Sequence, residues 1–131
     1  MNELNKLDLI AKDSWYAKGV SSVMVRYSFE IFARFLSGSS ILEMGPAEGL
    51  MTEHLSKLGK RLVVVEGAQT FCENLRIRYP EIEVVHSLFE NFDTNEKFDN
   101  IILGHVLEHV ESPADILSLK CRKTTSVSLA V

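Results

Sequence analysis

Residues 41–49 read ILEMGPAEG, and the rest of the chain is interpreted around this stretch. Its apolar beginning predicts a short buried strand, and Gly45 and Gly49 predict a tight turn. From Leu50 onward apolar residues recur at helical spacing, and Gly59 marks the predicted end of that helix. Such a strand-turn-helix forms a ligand cradle, because glycines admit a ligand close to the backbone and the first N–H groups of a helix lack intrahelical partners.

The spacing of the two glycines narrows the class of ligand. A dinucleotide loop reads G-x-G-x-x-G, whereas here three residues separate Gly45 from Gly49 and Ala47 stands at the middle position. Glu43 precedes the loop and Glu48 lies within it. Each carboxylate would repel a pyrophosphate by about 1 kcal/mol even in a watery setting. The two acids instead favour a ligand that carries an ammonium and a sulfonium group.

Strand and helix patterns alternate along the chain, which predicts parallel βαβ units. Beyond the first strand, further strands are predicted at 61–67, 82–86, 98–104 and 126–131, and helices at 21–36, 70–79 and 112–123. We expect one domain, with an N-terminal helical segment at 1–37 and a ligand-binding core at 38–131. Ligands of such open sheets bind beyond the carboxyl ends of the strands, near the point where the strand order reverses.

The composition is that of an ordinary globular protein. Of its 131 residues, 46% are hydrophobic and 24% are charged, as in a single domain with a substantial core. The net charge of −4 gives no general attraction to nucleic acid or to an anionic membrane. We find neither a signal-peptide pattern nor an apolar run near 18 residues, and Cys72 and Cys121 lack metal-ligand spacing. These observations predict a cytoplasmic protein that binds neither nucleic acid nor membranes.

Two segments resemble the class I S-adenosylmethionine (SAM) dependent methyltransferases. Residues 43–49 match the acid-x-Gly-x-x-x-Gly loop of that family, except that Ala47 stands where many members have glycine. Residues 98–110, FDNIILGHVLEHV, resemble the fourth strand and its exit in members that act on small molecules. The resemblance covers roughly residues 38–117. It implies a Rossmann-like α/β fold with a mostly parallel sheet, strand order 3-2-1-4-5 and helices on both faces, shortened relative to the seven strands of the family.

The resemblance also implies that SAM is the methyl donor, S-adenosyl-L-homocysteine the product and a small molecule the acceptor. The methionine part of the cofactor would contact the residues of the glycine loop, namely Glu43, Gly45, Ala47 and Gly49. Glu66 ends the predicted second strand 23 residues after Glu43, and an acid near that offset suits the hydroxyls of a ribose. The family places an acid there for the same purpose, with Gly67 giving clearance beside it.

The remaining predicted site residues follow the third and fourth strands. By the resemblance, Ser87 and Leu88 would flank the adenine, where many members have an acid. Gly104 would lie under the methionine part, and His105 would act as a general base or orient the acceptor. Alignment of the acceptor does most of the work in this displacement, and a base helps only if the acceptor must lose a proton.

Three alternatives to this function remain open. Residues 105–109 satisfy H-x-x-E-H, a zinc peptidase motif in which His105 and His109 would bind the metal. A zinc site would need a third ligand, for which Glu111 and Asp115 are the nearest acids. The chain could also be a SAM-binding module without catalysis, or a nicotinamide-dependent oxidoreductase, which the glycine spacing disfavours.

The last predicted strand leads to an expectation about assembly. Residues 126–131 alternate between apolar and small side chains, and the strand would form an edge of the sheet with unpaired backbone groups. An uncovered edge and an open apolar face favour association. We therefore expect a homodimer or a larger assembly formed through this C-terminal edge.

Overall fold

The computed structural model describes residues 2–12, 20–104, 111–115 and 124–128. The helices are α1 (Glu3–Lys12), α2 (Val20–Phe32), α3 (Leu50–Ser56) and α4 (Gln69–Arg78). The strands are β1 (Ser40–Met44), β2 (Arg61–Glu66), β3 (Glu83–His86), β4 (Phe98–Leu103) and β5 (Thr124–Ser128). A single 3-10 turn, Ala33–Phe35, follows α2. The predicted helices and strands of residues 21–104 are therefore present, with bounds that shift by a residue or a few.

The strands form one parallel sheet in the order β3-β2-β1-β4-β5. The predicted Rossmann-like architecture is confirmed. The last strand begins at Thr124 and not at Ser126 as predicted, and residues 129–131 lie outside the described part of the chain. Because the chain passes from β3 to the other side of β1 before forming β4, the strand order reverses beside β1. The carboxyl end of β1 therefore opens at the position where such sheets bind ligands.

Apolar side chains cover both faces of the sheet, as the continuous β-branched pattern of β2 predicts. On one face the strands pack against α2, α3 and α4, and this core contains Phe32, Ile41, Leu55, Leu62, Val64, Leu75, Ile82 and Ile102. The other core contains Leu42, Met44, Val63, Val65, Phe92, Phe98, Ile101 and Leu103, with Phe89 and Val85 packed against it. The segment between β3 and β4 thus contributes Phe89 and Phe92 to this second core. The helix predicted at 112–123 falls mostly on residues outside the described ranges.

The apolar stripe of α2 is narrower than the sequence suggests. Helical spacing in the sequence predicts a buried stripe that includes Phe29 and Phe32 and is widened by Met24, Ile31 and Phe35. Phe29 and Phe32 do pack toward the sheet and α3. Met24, Ile31 and Phe35 are instead 55%, 49% and 70% exposed. That expectation is wrong, because only one face of the helix contacts α3 and the sheet.

Side chains from β4 fix the amino end of β1. Asp99 Oδ2 accepts hydrogen bonds from the backbone N–H groups of Ser39 at 2.7 Å and Ser40 at 3.1 Å. The fully buried Asn100 donates its amide N–H to the carbonyl oxygens of Ser37 and Ser40. These contacts join the turn before β1 to its neighbouring strand, and they help to set where the glycine loop begins at the other end of β1.

Candidate functional site

The glycine loop turns through three residues in the left-handed region of backbone conformation. Gly45 has φ 72° and Gly49 has φ 86°, values that favour glycine. Ala47 has φ 50°, and it is the only non-glycine residue with a positive φ among those that the structure describes. A left-handed residue with a Cβ costs roughly 1–2 kcal/mol. The position at which the sequence departs from the family pattern is therefore a strained one.

Gly49 is also required for packing. It precedes α3 as its N-cap, and its backbone N–H donates to the carbonyl of Pro46 at 2.8 Å. A Cβ on Gly49 would lie 2.7 Å from Leu75 Cδ2 of α4. The glycine therefore allows α3 and α4 to approach each other under the loop.

Two long-range hydrogen bonds hold the ends of the loop in place. The N–H of Gly45 donates to the carbonyl of Val65 on β2 at 2.9 Å. Arg78, at the end of α4, donates from Nη1 to the carbonyl of Glu48 at 2.7 Å. The backbone of the loop is thus tied to two elements other than the strand and the helix that it connects.

Glu66 connects β2 to the centre of the loop. Its Oε2 accepts the N–H of Ala47 at 3.0 Å, and its Oε1 accepts the N–H of Ala68 at 2.9 Å. The side chain is only 7% exposed. Burial raises the pKa of Glu66, while hydrogen bonds from the backbone of Ala68, Ala47 and Gly67 lower it. The predicted ribose acid therefore also supports the glycine loop, which the sequence did not indicate.

Glu43 lies beneath the loop in a still more enclosed position. Its side chain is 2% exposed, and its Oε2 accepts the hydroxyl proton of Thr52 at 2.7 Å. Burial raises the pKa of Glu43 to about 8, the hydrogen bond from Thr52 opposes this rise, and the nearby Glu66 adds to it. Two buried carboxyl groups thus lie on adjacent strands at the base of the loop.

The residues predicted to meet the adenosine part are brought together at the carboxyl ends of β2 and β3. A Cβ on Gly67 would lie 3.7 Å from Leu88 Cδ2 and 3.8 Å from the carbonyl oxygen of Ser87. The N–H of Ser87 donates to the carbonyl of Glu66 at 3.0 Å. Glu66, Gly67, Ser87 and Leu88 are therefore neighbours, as their predicted shared ligand requires.

Helix α1 covers this adenosine-side cluster from the N-terminal part of the chain. Its Leu7 occupies the space over Gly67, where Cδ1 would be 2.5 Å from an added Cβ. Its Asp8 accepts the N–H of Thr70, in the first turn of α4, at 3.0 Å. The clearance expected at Gly67 is therefore filled in this structure by a side chain of the same chain. The sequence predicts only that the N-terminal segment is helical, and it contains no signal for the docking position of α1.

A cavity of about 390 Å³ opens beside this cluster. It lies between β3 and the segment that follows it, and its lining includes Val85, Ser87 and Phe92. The glycine loop does not line it. The cavity therefore adjoins the predicted adenine position and not the predicted methionine position.

Of the predicted reacting end of the site, the structure describes Gly104. Gly104 directly follows β4, and a Cβ there would meet no atom of the described residues within 4 Å. His105 and His109 lie outside the described residues, as do Trp15 and Tyr16. Within the described ranges, no group of three or more His, Cys, Asp or Glu side chains could hold a metal ion. In the same part of the chain, no helix has the length and apolar character needed to cross a membrane.

Comparisons with known proteins agree with this fold and loop. A family model for Nodulation protein S (NodS) matches residues 1–125. Nodulation protein S of Bradyrhizobium diazoefficiens is 28% identical over 120 residues, which cover 88% of this chain and 57% of that protein. The mitochondrial ubiquinone biosynthesis O-methyltransferase of Schizosaccharomyces pombe is 26% identical over 133 residues, which cover 89% of this chain and 48% of that protein. The chain thus spans about half the length of these curated relatives.

Solved structures share the architecture. The N-methyltransferase NodS from Bradyrhizobium japonicum WM9, in complex with S-adenosyl-L-homocysteine, matches with a TM-score of 0.81 at 20% identity over 96% of this chain and 69% of that chain. The N-terminal domain of EvdMO1 with S-adenosyl-L-homocysteine bound matches with a TM-score of 0.72 at 18% identity over 98% of this chain and 65% of that chain. The fold is that of the class I SAM-dependent methyltransferases, as the two sequence segments predict. The chain belongs to the Nodulation protein S (NodS) family.

Proposed function

We propose that this chain binds SAM and serves the transfer of its methyl group to a small-molecule acceptor. The observation that carries the proposal is the pair of buried carboxyl groups, Glu43 and Glu66, on adjacent strands beneath a loop whose backbone is hydrogen-bonded to β2 and to the end of α4. Family membership and the structural relatives with bound S-adenosyl-L-homocysteine support the same cofactor.

Apart from Leu7, which occupies the space over Gly67, the residues present fit such a cofactor in charge and in position. Glu43 and Glu48 would lie near its ammonium and sulfonium groups, at the loop formed with Gly45, Ala47 and Gly49. Glu66 already accepts two backbone N–H groups, and each carboxylate oxygen can accept a further hydrogen bond, here from a ribose hydroxyl. Ser87 and Leu88 would flank the adenine next to the cavity that Ser87 lines.

When bound, SAM supplies an electrophilic methyl group on its sulfonium. The contribution of this chain is then to bind and orient, because displacement at the methyl carbon depends mainly on alignment of the acceptor atom. Glu66 holds the loop through the N–H of Ala47, and the charged forms of both buried acids would favour the positive charge of the donor. Gly104 and His105 would lie at the reacting end, where His105 would orient the acceptor or accept its proton.

A methyl-transfer assay tests the proposal. Relatives include one named for O-methylation and one for N-methylation, so the assay should not presuppose the acceptor atom. We would incubate the chain with SAM labelled in its methyl group and a small-molecule cell extract, and then look for labelled products. We expect labelled small molecules with the unaltered chain and a loss of that label with Glu66→Ala. Cofactor binding without any labelled product would instead favour the non-catalytic SAM-binding module.

We also propose, on the strength of the sequence, a cytoplasmic location and self-association with a second copy of the chain. Exposed apolar side chains on α2, a surface other than the C-terminal edge predicted from the sequence, support self-association; among them are Val23 at 60%, Tyr27 at 65% and Ile31 at 49% exposure. Sedimentation at micromolar concentration should give a dimer or larger species that Ile31→Lys weakens. A stable monomer of the unaltered chain would contradict self-association.

A further inference from the structure

Thr52 has no role in the sequence-based account of the site, yet among the described residues it alone donates a hydrogen bond to the buried carboxyl of Glu43. Thr52 is itself fully buried, in the first turn of α3. The glycine loop lies between the two residues in sequence. Their 2.7 Å hydrogen bond therefore joins the strand before the loop to the helix after it.

We propose that Thr52 is a positioning residue for cofactor binding, because its hydroxyl holds the buried Glu43 carboxyl in place beneath the glycine loop. This inference rests on the proposed function, since it concerns the methionine end of the same site. Thr52 would not touch the cofactor. It would act through Glu43, because its hydroxyl stabilises the charged form of that acid when a cation binds above it.

The surroundings of Glu43 explain why a donor is needed there. An isolated buried carboxylate is costly unless it is hydrogen-bonded. Glu66 from β2 and Tyr79 after α4 are further titratable groups that interact with Glu43, and neither supplies a positive charge. The hydroxyl of Thr52 from α3 stabilises the charged form, and it lowers a pKa that burial holds near 8.

This arrangement couples cofactor binding to a proton. Near pH 7 most free protein carries a protonated Glu43, because its pKa is about 8. A bound ammonium group favours the charged form, so binding releases the proton of Glu43 to the solvent. Affinity should then rise with pH up to about the pKa of the free protein and level off above it. Without the hydroxyl of Thr52, the pKa of Glu43 rises, and the pH at which the affinity levels off rises with it.

The test is calorimetric titration with S-adenosyl-L-homocysteine at pH 6, 7, 8 and 9. For the unaltered chain we expect affinity to rise by at least about fivefold from pH 6 to pH 8. Repeating the titration at pH 7 in buffers of different ionisation enthalpy should show close to one proton released per ligand bound. Thr52→Val should bind about fivefold or more weakly at pH 7, with the rise displaced to higher pH, whereas Thr52→Ser should restore the profile.

Two further variants separate positioning from a structural role. Ser56→Ala removes another hydroxyl of α3, which donates to the carbonyl of Glu53 in its own helix, and it should match the unaltered chain. Glu43→Gln cannot titrate at this position, so its affinity should rise clearly less from pH 6 to pH 8 than that of the unaltered chain, and it remains informative if Thr52→Val does not fold. Melting curves establish that each variant is folded.

The possible failures are distinguishable. If the unaltered chain binds no S-adenosyl-L-homocysteine, the proposed function and this inference fall together. If the unaltered chain binds S-adenosyl-L-homocysteine with the same pH profile as Thr52→Val or Glu43→Gln, only the inference about Thr52 is overturned. A Thr52→Val profile that is uniformly weaker but not displaced in pH also overturns it, since that result reflects a merely structural hydroxyl.

Discussion

The carboxylate of Glu66 accepts the backbone N–H of Ala47 at 3.0 Å, which ties the end of β2 to the centre of the glycine loop. Glu66, the acid assigned to the ribose, thus also helps to fix the glycine loop, at which the methionine part of the cofactor would bind. Substitutions of Glu66 should for this reason change both ligand affinity and stability.

We expect Glu66→Ala to weaken SAM binding by about tenfold or more, because charge-assisted hydrogen bonds contribute about 1.5–3 kcal/mol. The chain should still fold, but its free energy of unfolding should fall by about 1–3 kcal/mol, since the N–H groups of Ala47 and Ala68 lose their acceptor. Urea unfolding and ligand titration measure the two effects.

Glu83→Ala is the matched control for Glu66. It removes an acid from the adjacent strand whose side chain is 53% exposed and pairs with Arg61 at the surface. Such pairs contribute about 0–1 kcal/mol, so both affinity and stability should stay near those of the unaltered chain. Unchanged affinity in Glu66→Ala would contradict the ribose assignment and leave Glu66 with a structural role.

Ala47→Gly should be tolerated at the centre of the loop. The substitution relieves a left-handed alanine with φ 50°, which offsets the larger conformational entropy that glycine has in the unfolded chain. We expect stability to remain within about 1 kcal/mol of the unaltered chain and SAM affinity to be equal or better. A loss of more than about 2 kcal/mol in urea unfolding would show that the methyl group of Ala47 makes a necessary contact.

The turn before β1 offers a test of its link to β4. Gly38 and Gly59 both have left-handed φ, 63° and 67°, but only a Cβ on Gly38 would collide with the carboxyl group of Asp99. Gly59→Ala should cost only the backbone strain of about 1–2 kcal/mol. Gly38→Ala should cost at least about 1 kcal/mol more in the free energy of unfolding, because Asp99 must move from the N–H groups that it accepts. Equal costs would show that the turn is not fixed by Asp99.

The stability of the free protein should fall as pH rises through neutrality. The folded pKa of Glu43, about 8, lies above its ordinary value of 4.5 because of burial. A carboxyl with a raised folded pKa contributes stability that is fully present below the ordinary pKa and lost as pH rises through the folded one. Glu66, whose pKa is also raised by burial, acts in the same direction.

Urea unfolding at pH 5, 6, 7 and 8 measures this dependence. The unaltered chain should lose stability on the order of a few kcal/mol across the range, and Glu43→Gln should lose clearly less. The pKa values of Asp99 and Glu96 are lowered in the folded chain. The stability that these two carboxylates contribute is lost only as pH falls below their ordinary pKa range, so it does not affect this measurement. Equal slopes for both proteins would mean that Glu43 is charged in the folded state.

Much of the fold could be predicted from the sequence because its signals are local. The continuous apolar run of β2 and the alternation of strands with helices predict the parallel sheet, and the spacing of Gly45 and Gly49 predicts the loop. Even the strain at Ala47 has a local signal, since a residue with a Cβ stands where the family pattern has glycine.

The supporting contacts of the site could not be predicted, because they join segments that are distant in sequence. Leu7 lies over Gly67, and Arg78 reaches the carbonyl of Glu48 from the end of α4. Nothing in the local pattern of Thr52 distinguishes it from an ordinary residue of a helix's first turn. These roles depend on how helices pack against the sheet, which periodicity alone does not specify.

The most direct test of the account is a comparison of two ligands on the unaltered chain. The buried acids at the base of the glycine loop should accept a cofactor with an ammonium group and exclude a pyrophosphate. Calorimetric titration near pH 8 should therefore show micromolar binding of S-adenosyl-L-homocysteine and no binding of NAD. Binding of NAD without binding of S-adenosyl-L-homocysteine would contradict the account.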